Sequence, residues 1–275
     1  MRLYPENALT QLEFDKITQI LLNHCNTTIG REVVQEMRIH THLKYILSSL
    51  RQTEEYKYIK LANQYFPSDF VLDIRKDLKL LGIPGAQLTG EQWLLVRKLS
   101  EHLAQIFRWF DGERKQAFPN LFEVVSDTYY EPIIIQSIDE IIDDLGYVKD
   151  KASDDLAKIR MQLFKKRGEL RRIFEKVIHR LAKAGYTADI DESFSNGRRV
   201  VAVFSEYKRQ VKGFLHGESD SRKTAFIEPE ETIELNNELY SLEQEELKEV
   251  QRVLRQLTAQ LAPYRSEERR VGKEC

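Results

Sequence analysis

The sequence predicts a mainly α fold: a helical core bundle, then a long antiparallel helical hairpin tipped by a small β-sheet. Three observations predict it. Apolar residues recur at three-to-four spacing over most of the 275 residues. Two long helical runs in the second half carry opposite charge. Residues 149–183 hold twelve Lys/Arg against five Asp/Glu, and residues 230–261 hold eight Glu against three Lys/Arg. Between them, residues 185–229 form the one stretch with clear strand character.

The first half reads as helices. Leu9, Leu12, Phe14, Ile17, Ile20 and Leu21 fall at helical spacing over 9–24, and Gly30 then marks a break or short connection. A second helix fits 41–62, with Leu43, Ile46, Leu47, Leu50, Tyr56 and Ile59 on one face. Thr89 is the expected N-cap of a helix running through Trp93, Val96, Leu103, Phe107 and Phe110. A short helix around Leu121–Val125 and one from Ile133 to Leu145, closed by Gly146, complete this part.

From Lys149 the pattern tightens. Leu156, Ile159, Leu163, Leu170, Ile173 and Val177 repeat at three-then-four spacing, with Lys166 interrupting the seam. The return arm carries Leu247, Val250, Leu254, Leu257 and Leu261 as its expected seam. An antiparallel pair would bury both seams and set basic flanks against acidic ones. Four strands are expected between the arms: Tyr186–Ile190, Arg199–Ser205, Val211–His216 and Thr224–Glu228. Ser195-Asn196-Gly197 signals a type I′ turn, which needs positive φ at both central residues. Pro229 is expected at the first helical position of the return arm. The division is therefore a core at 1–148 and a hairpin at 149–265, with arms 149–184 and 230–265 and a β tip at 185–229. The last ten residues, SEERRVGKEC, carry no periodicity and are read as a non-native tail.

Composition narrows the function. No apolar run approaches the length of a bilayer span, so no membrane partner is expected. Cys25 and Cys275 cannot build a disulfide framework, which points to a reducing cytoplasm. Net charge is −2, so any affinity for a polyanion must come from local charge. The candidate for such charge is the tip, with Arg198, Arg199, Lys208, Arg209, Lys212, Arg222 and Lys223. Lys and Arg that neutralise phosphates release counterions and give affinity independent of sequence. Acids in the same region, among them Glu218, Asp220 and Glu228, leave open the reading of a solvated surface. The basic arm, with Lys158, Lys165, Lys166, Arg167, Arg171, Arg172, Lys176, Arg180 and Lys183, either lines a nucleic-acid channel or simply faces the acidic return arm.

Enzymatic constellations are poor, and no catalytic or metal-ligating set is expected. His40 and His42 are close in sequence but lack further ligands at metal spacing. Asp189, Asp191 and Glu192 are a weak divalent-ion candidate, better read as solubilising strand-end acids. His216 is read as a packed or hydrogen-bonded strand residue, and Asn236-Asn237 as hydrogen bonding between elements. Trp93, Phe107 and Phe110 read as core, with Trp109 left as a candidate exposed stacking surface.

The tip segment, GRRVVAVFSEYKRQVKGFLHGESDSRKTAFIEPEETIELNNEL over 197–239, resembles the clamp of the MutS family. It is most similar to the second bacterial paralogue, which carries a C-terminal Smr domain. The matching features are Gly197–Val200, Glu206-Tyr207, Gly213, the Ser-x-Ser of Ser219–Ser221, Phe226-Ile227-Glu228-Pro229 and Glu234-Leu235-Asn236-Asn237. Leu12–Ile17, LEFDKI, and Gly30-Arg31-Glu32 resemble that paralogue's start. The resemblance implies a core and a clamp on two lever helices. It also implies a longer parent: a homodimeric ATPase using ATP and Mg, with an endonuclease-like domain. Such a parent binds double-stranded, branched or mismatched DNA and suppresses recombination, or acts on collided ribosomes with rRNA as ligand. This chain has no G-x-x-x-x-G-K-[ST] phosphate loop. Where the family has glycine after Ser-x-Ser, this chain has Arg222, which a positive φ would strain. The alternative from another class is a structural, protein-binding coiled-coil hairpin with no nucleic-acid affinity of its own.

Overall fold

The structure, a computed structural model, describes residues 7–68, 73–128 and 130–264, the side chains of 188–192 excepted. It is mainly α with one four-stranded antiparallel sheet, as the sequence predicts. The chain forms two compact units. One comprises residues up to Val148 together with those from Leu254 onwards; the other is Lys149–Val253.

The first unit holds α1 (Ala8–Gln11), α2 (Phe14–His24), α3 (Thr28–Gln35), α4 (Leu43–Leu61), α5 (Arg75–Leu80), α6 (Gly90–Trp109), α7 (Gly112–Ala117), α8 (Pro119–Ser126) and α9 (Pro132–Ile141). Thr89 caps α6 as expected. Its hydroxyl accepts from the Gln92 amide at 3.3 Å, and the Gln92 side chain accepts from the Thr89 amide at 2.8 Å. The core beside it is aromatic: Trp109, Phe110 and Phe118 pack with Ile59 of α4, Phe66 and Phe122. Trp109 is therefore not an exposed stacking surface. It is only 8 % exposed, and its indole N–H donates to the Tyr65 carbonyl at 2.6 Å. Glu55 of α4 accepts the Asn120 and Leu121 amides at 3.1 and 2.8 Å, so a carboxylate satisfies the orphan donors at the start of α8.

Two further expectations for this unit are corrected. Gly30 is not a break but lies inside α3, whose N-cap Thr27 accepts the Gly30 amide at 3.0 Å. The helix expected to reach Leu145 stops at Ile141, because Ile142 turns extended and bridges to Val148. The Asp143 carboxylate accepts the Leu145 and Tyr147 amides and holds that turn. The turn's Gly146 sits against the start of α6, where a Cβ on Gly90 would lie 1.8 Å from the Gly146 carbonyl oxygen.

The second unit is built from α10 (Asp154–Lys183), β1 (Thr187–Ser195), β2 (Arg198–Phe204), β3 (Gly213–Glu218), β4 (Thr224–Pro229) and α11 (Glu230–Leu261), whose last turns belong to the first unit. The strands lie in the order β1-β2-β4-β3. Asn196 and Gly197 take φ of 49° and 77°, as a type I′ turn requires. Val200, Val201, Ala202 and Val203 of the central strand β2 are all buried, as in a strand covered on both faces. Val201 and Val203, with Ala225 and Ile227 of β4, pack on Phe174, Val177 and Leu181 of α10. The connection from β2 to β3 starts with one 3₁₀ turn at Ser205–Tyr207 and brings Val211 into the same core. Val211 and Lys212 are thus not strand residues, and β3 starts at Gly213. A Cβ on Gly213 would lie 2.1 Å from the Glu228 carbonyl oxygen, so this strand pair closes only over glycine. Pro229 is the last strand residue, not the first helical one, and its carbonyl accepts from the Thr232 hydroxyl.

α10 and α11 contact each other through apolar and ionic pairs. Ser153 caps α10 by accepting the Leu156 amide, and its hydroxyl donates to Glu249 of α11 at 2.6 Å. Leu163 and Leu170 form a cluster with Leu239, flanked by Ile159, Leu235 and Leu242. The expected α11 seam is corrected by this cluster. Leu247 is 51 % exposed, and Leu254, Leu257 and Leu261 are buried within the first unit. The leucines that cluster with Leu163 and Leu170 of α10, namely Leu235, Leu239 and Leu242, lie earlier in the helix.

Candidate nucleic-acid interface

The sheet divides the seven candidate cations between its two ends. β2 leaves and β4 enters at one end, where Phe204 pairs with Thr224 and the Ser205 amide donates to the Lys223 carbonyl at 2.9 Å. Lys208 and Arg209 follow the 3₁₀ turn there, and Arg222 and Lys223 belong to the β3–β4 turn. At the other end, Arg198 and Arg199 enter β2. Lys212 precedes β3 there, its carbonyl accepting the Glu230 amide at 3.2 Å.

The β3–β4 turn is braced by the Ser-x-Ser. The Ser219 amide donates to the Thr224 carbonyl at 2.8 Å, the Ser219 hydroxyl accepts the Thr224 amide at 3.1 Å, and the two serine hydroxyls lie 3.3 Å apart. Arg222 sits at φ 57°, in the left-handed region, with its amide donating to the Ser219 carbonyl at 2.7 Å. The turn thus keeps a glycine-type geometry with an arginine in it. Among the described residues Arg209, Lys212, Arg222 and Lys223 make no ion pair, whereas Lys208 pairs with Glu218.

The opposite end is locked. Glu228 is buried and receives His216 Nε2 at 2.8 Å, Asn236 Nδ2 at 2.8 Å, and Arg198 Nη1 at 2.8 and 3.2 Å. Arg198 also donates to the Asn237 side-chain oxygen at 2.6 Å. Burial alone would raise the Glu228 carboxyl; the hydrogen bonds from His216, Asn236 and Arg198 outweigh it and hold the group below its usual range. One carboxylate thus ties β2, β3 and β4 to the first turns of α11. The expected hydrogen-bonding roles of His216 and Asn236-Asn237 are met here. Arg199 lies with its guanidinium 4.9 Å from the centre of the Phe174 ring.

The basic arm faces its acidic partner at several positions. Arg160 pairs with Glu246 at 2.7 Å, Arg167 with Glu243 at 2.9 Å, Arg180 with Glu231 at 2.7 Å, and Lys166 with Glu238. Arg171 and Lys158 pair within their own helix, with Glu175 and Asp155. Lys165, Arg172, Lys176 and Lys183 have no ion pair among the described residues. Of the other candidates, His40 packs its ring against Tyr45 at 4.4 Å, and no group of three metal-ligating side chains occurs among the described residues. The side chains of Asp189, Asp191 and Glu192 lie outside the described residues, as does the tail at 266–275. No described helix is long and apolar enough to cross a membrane.

Sequence reasoning missed the role of Glu228. It counted this acid as a diluting surface charge, while the signal lay in the apolar run AFI before it. It also missed Phe194 and Tyr240, which flank a groove lined by Arg198 and Arg199.

No protein-family model matches the chain. Among curated proteins, the chain is 30 % identical over 259 residues to endonuclease MutS2 of Geobacillus sp. (strain WCH70), covering 94 % of this chain and 33 % of that protein. It is 29 % identical over 266 residues to endonuclease MutS2 of Aquifex aeolicus, covering 95 % of this chain and 34 % of the relative. The Enterococcus faecalis endonuclease MutS2 is 31 % identical over 264 residues, 95 % and 33 % of the two chains. The chain spans about one third of the length of these curated relatives.

Proposed function

Starting from a chain that is MutS2-like over nearly its whole length, we propose that it is the core and clamp portion of a MutS-type protein and that its clamp grips nucleic acid. The observation that carries this reading is the set of cations at one end of the sheet. Arg209, Arg222 and Lys223 project from two adjacent connections with no internal counter-ion among the described residues, next to the Lys208–Glu218 pair. Phosphate contacts from such loops position a backbone without reading bases. The paired helices α10 and α11 act as lever arms that carry the sheet, and in a full-length protein they pass on an ATP-driven rearrangement. ATP and Mg belong to a nucleotide site whose phosphate-loop motif is absent from this sequence. The ligand class is double-stranded or branched DNA, with rRNA as the other polyanion that the same chemistry takes, and the parent acts as a cytoplasmic homodimer.

The test is the combined variant Arg209→Glu, Arg222→Glu, Lys223→Glu, titrated with a branched duplex over a range of salt. Each lost phosphate contact lowers the slope of log affinity against log salt by about 0.9. The slope is expected to fall by about 2–3, with a loss of affinity. Unchanged affinity and slope overturn the reading. The rival reading, a protein-docking hairpin, is favoured by one observation: Phe214 and Leu215 are exposed on the edge strand β3. Association with a protein partner that survives high salt, beside no nucleic-acid binding, would establish it.

A further inference from the structure

We infer that the groove between the β1–β2 turn and the paired helices takes an unpaired nucleotide, holding base face and phosphate together. The inference rests on the nucleic-acid reading above but concerns a surface separate from the basic loops. The groove encloses about 500 Å³, in the range of small-ligand sites. Arg167 and Arg171 of α10 line it, with Phe194 and Arg199 from the β1–β2 hairpin and Tyr240 and Glu243 from α11.

Three features point to the ligand. First, among the described residues the lining is cationic, with Arg167, Arg171, Arg198 and Arg199 against one acid, Glu243. The charges are also exchangeable. Arg167 is paired with Glu243 and Arg171 with Glu175, each at 2.9 Å, but both arginines are more than half exposed. Exposed pairs of this kind contribute little, so a phosphate can take their place. Second, Phe194 is 70 % and Tyr240 59 % exposed, and neither ring meets another aromatic ring among the described residues. Two large rings held in water beside arginines are a stacking platform. Third, Arg198 of the lining is held in place by Glu228 and Asn237, so one cation of the groove is pre-organised. A paired duplex covers its base faces, and only an unpaired base can lie on such rings. An acidic peptide would engage the arginines and leave the rings unused.

The test uses the whole chain and three probes: a fully paired duplex, the same duplex with a short unpaired thymine loop, and a poly-glutamate peptide. Fluorescence anisotropy is expected to show tighter binding to the looped duplex. The double variant Phe194→Ala, Tyr240→Ala should weaken looped-duplex binding about tenfold, the size of one base–aromatic stack, and leave the paired duplex unaffected. Both side chains are exposed, so circular dichroism should be unchanged. Equal affinity of the native chain for the two duplexes, a double variant that keeps the preference, or poly-glutamate competing as well as the looped duplex would each overturn the inference. The ratio of looped to paired binding judges the groove alone. Failure of the loop reading appears separately, as a charge-reversed clamp that keeps its paired-duplex affinity.

Discussion

The two ends of the sheet carry similar charge in sequence and opposite arrangements in space. At one end Arg198 is spent on a buried carboxylate. At the other, Arg209, Arg222 and Lys223 stand on connections with no counter-ion among the described residues. A count of cations treats the two ends alike. What separates them is one acid, Glu228, placed in a strand where it is removed from water and can only persist as a charge with donors around it.

The largest effect should come from breaking the locked end. Glu228→Ala leaves Arg198, His216 and Asn236 without their shared acceptor, and should cost about 3–5 kcal/mol in denaturant unfolding. A loss under about 1 kcal/mol would show that the two ends differ less than their geometry implies. The same carboxylate sets a pH dependence. Its folded-state value is depressed, so its stabilisation is fully present above the unfolded value, 4.5, and is lost as pH falls through the lower folded value. Acid titration of stability should therefore steepen below that point, and Glu228→Gln should flatten it.

The basic-loop end responds in the other direction. Arg222→Gly relieves a left-handed arginine and should stabilise the protein by about 1 kcal/mol, read as a raised denaturant midpoint. It should also weaken phosphate binding, which would separate the fold's interest at this position from the ligand's. The smallest effect belongs to the Lys208–Glu218 pair. Lys208→Ala should change stability by less than about 1 kcal/mol, because the pair is partly exposed.

Much of this was legible in the sequence. Asn196-Gly197 gave its turn from two residues, Thr89 and Gln92 their cap, and the α10 pattern its buried Leu156, Leu163, Leu170 and Val177. The failures of burial share one cause: periodicity reports a face and not what covers it. In α11 the late leucines repeat as well as the early ones, yet Leu235, Leu239 and Leu242 meet α10, while Leu254, Leu257 and Leu261 are buried in the other unit. In α2 the spacing is correct, but Ile17 and Ile20 remain exposed and no residue of the helix is buried. The candidate site was half legible. The cations could be named from the sequence, but their partners could not. The Glu228 network joins residues 198, 216, 228, 236 and 237, brought together only by strand order.

That network also fixes how the strands slide. Successive residues of a strand point to opposite faces, so moving β4 by one position against β2 would swing Glu228 to the far side of the sheet. Arg198, His216 and Asn236 would then be left with no acceptor at the place they converge. A short sheet with a register shift in each outer strand pair has other alignments available to it. The carboxylate acts as a locating pin against a one-residue slip, which would strip it of all its donors at once.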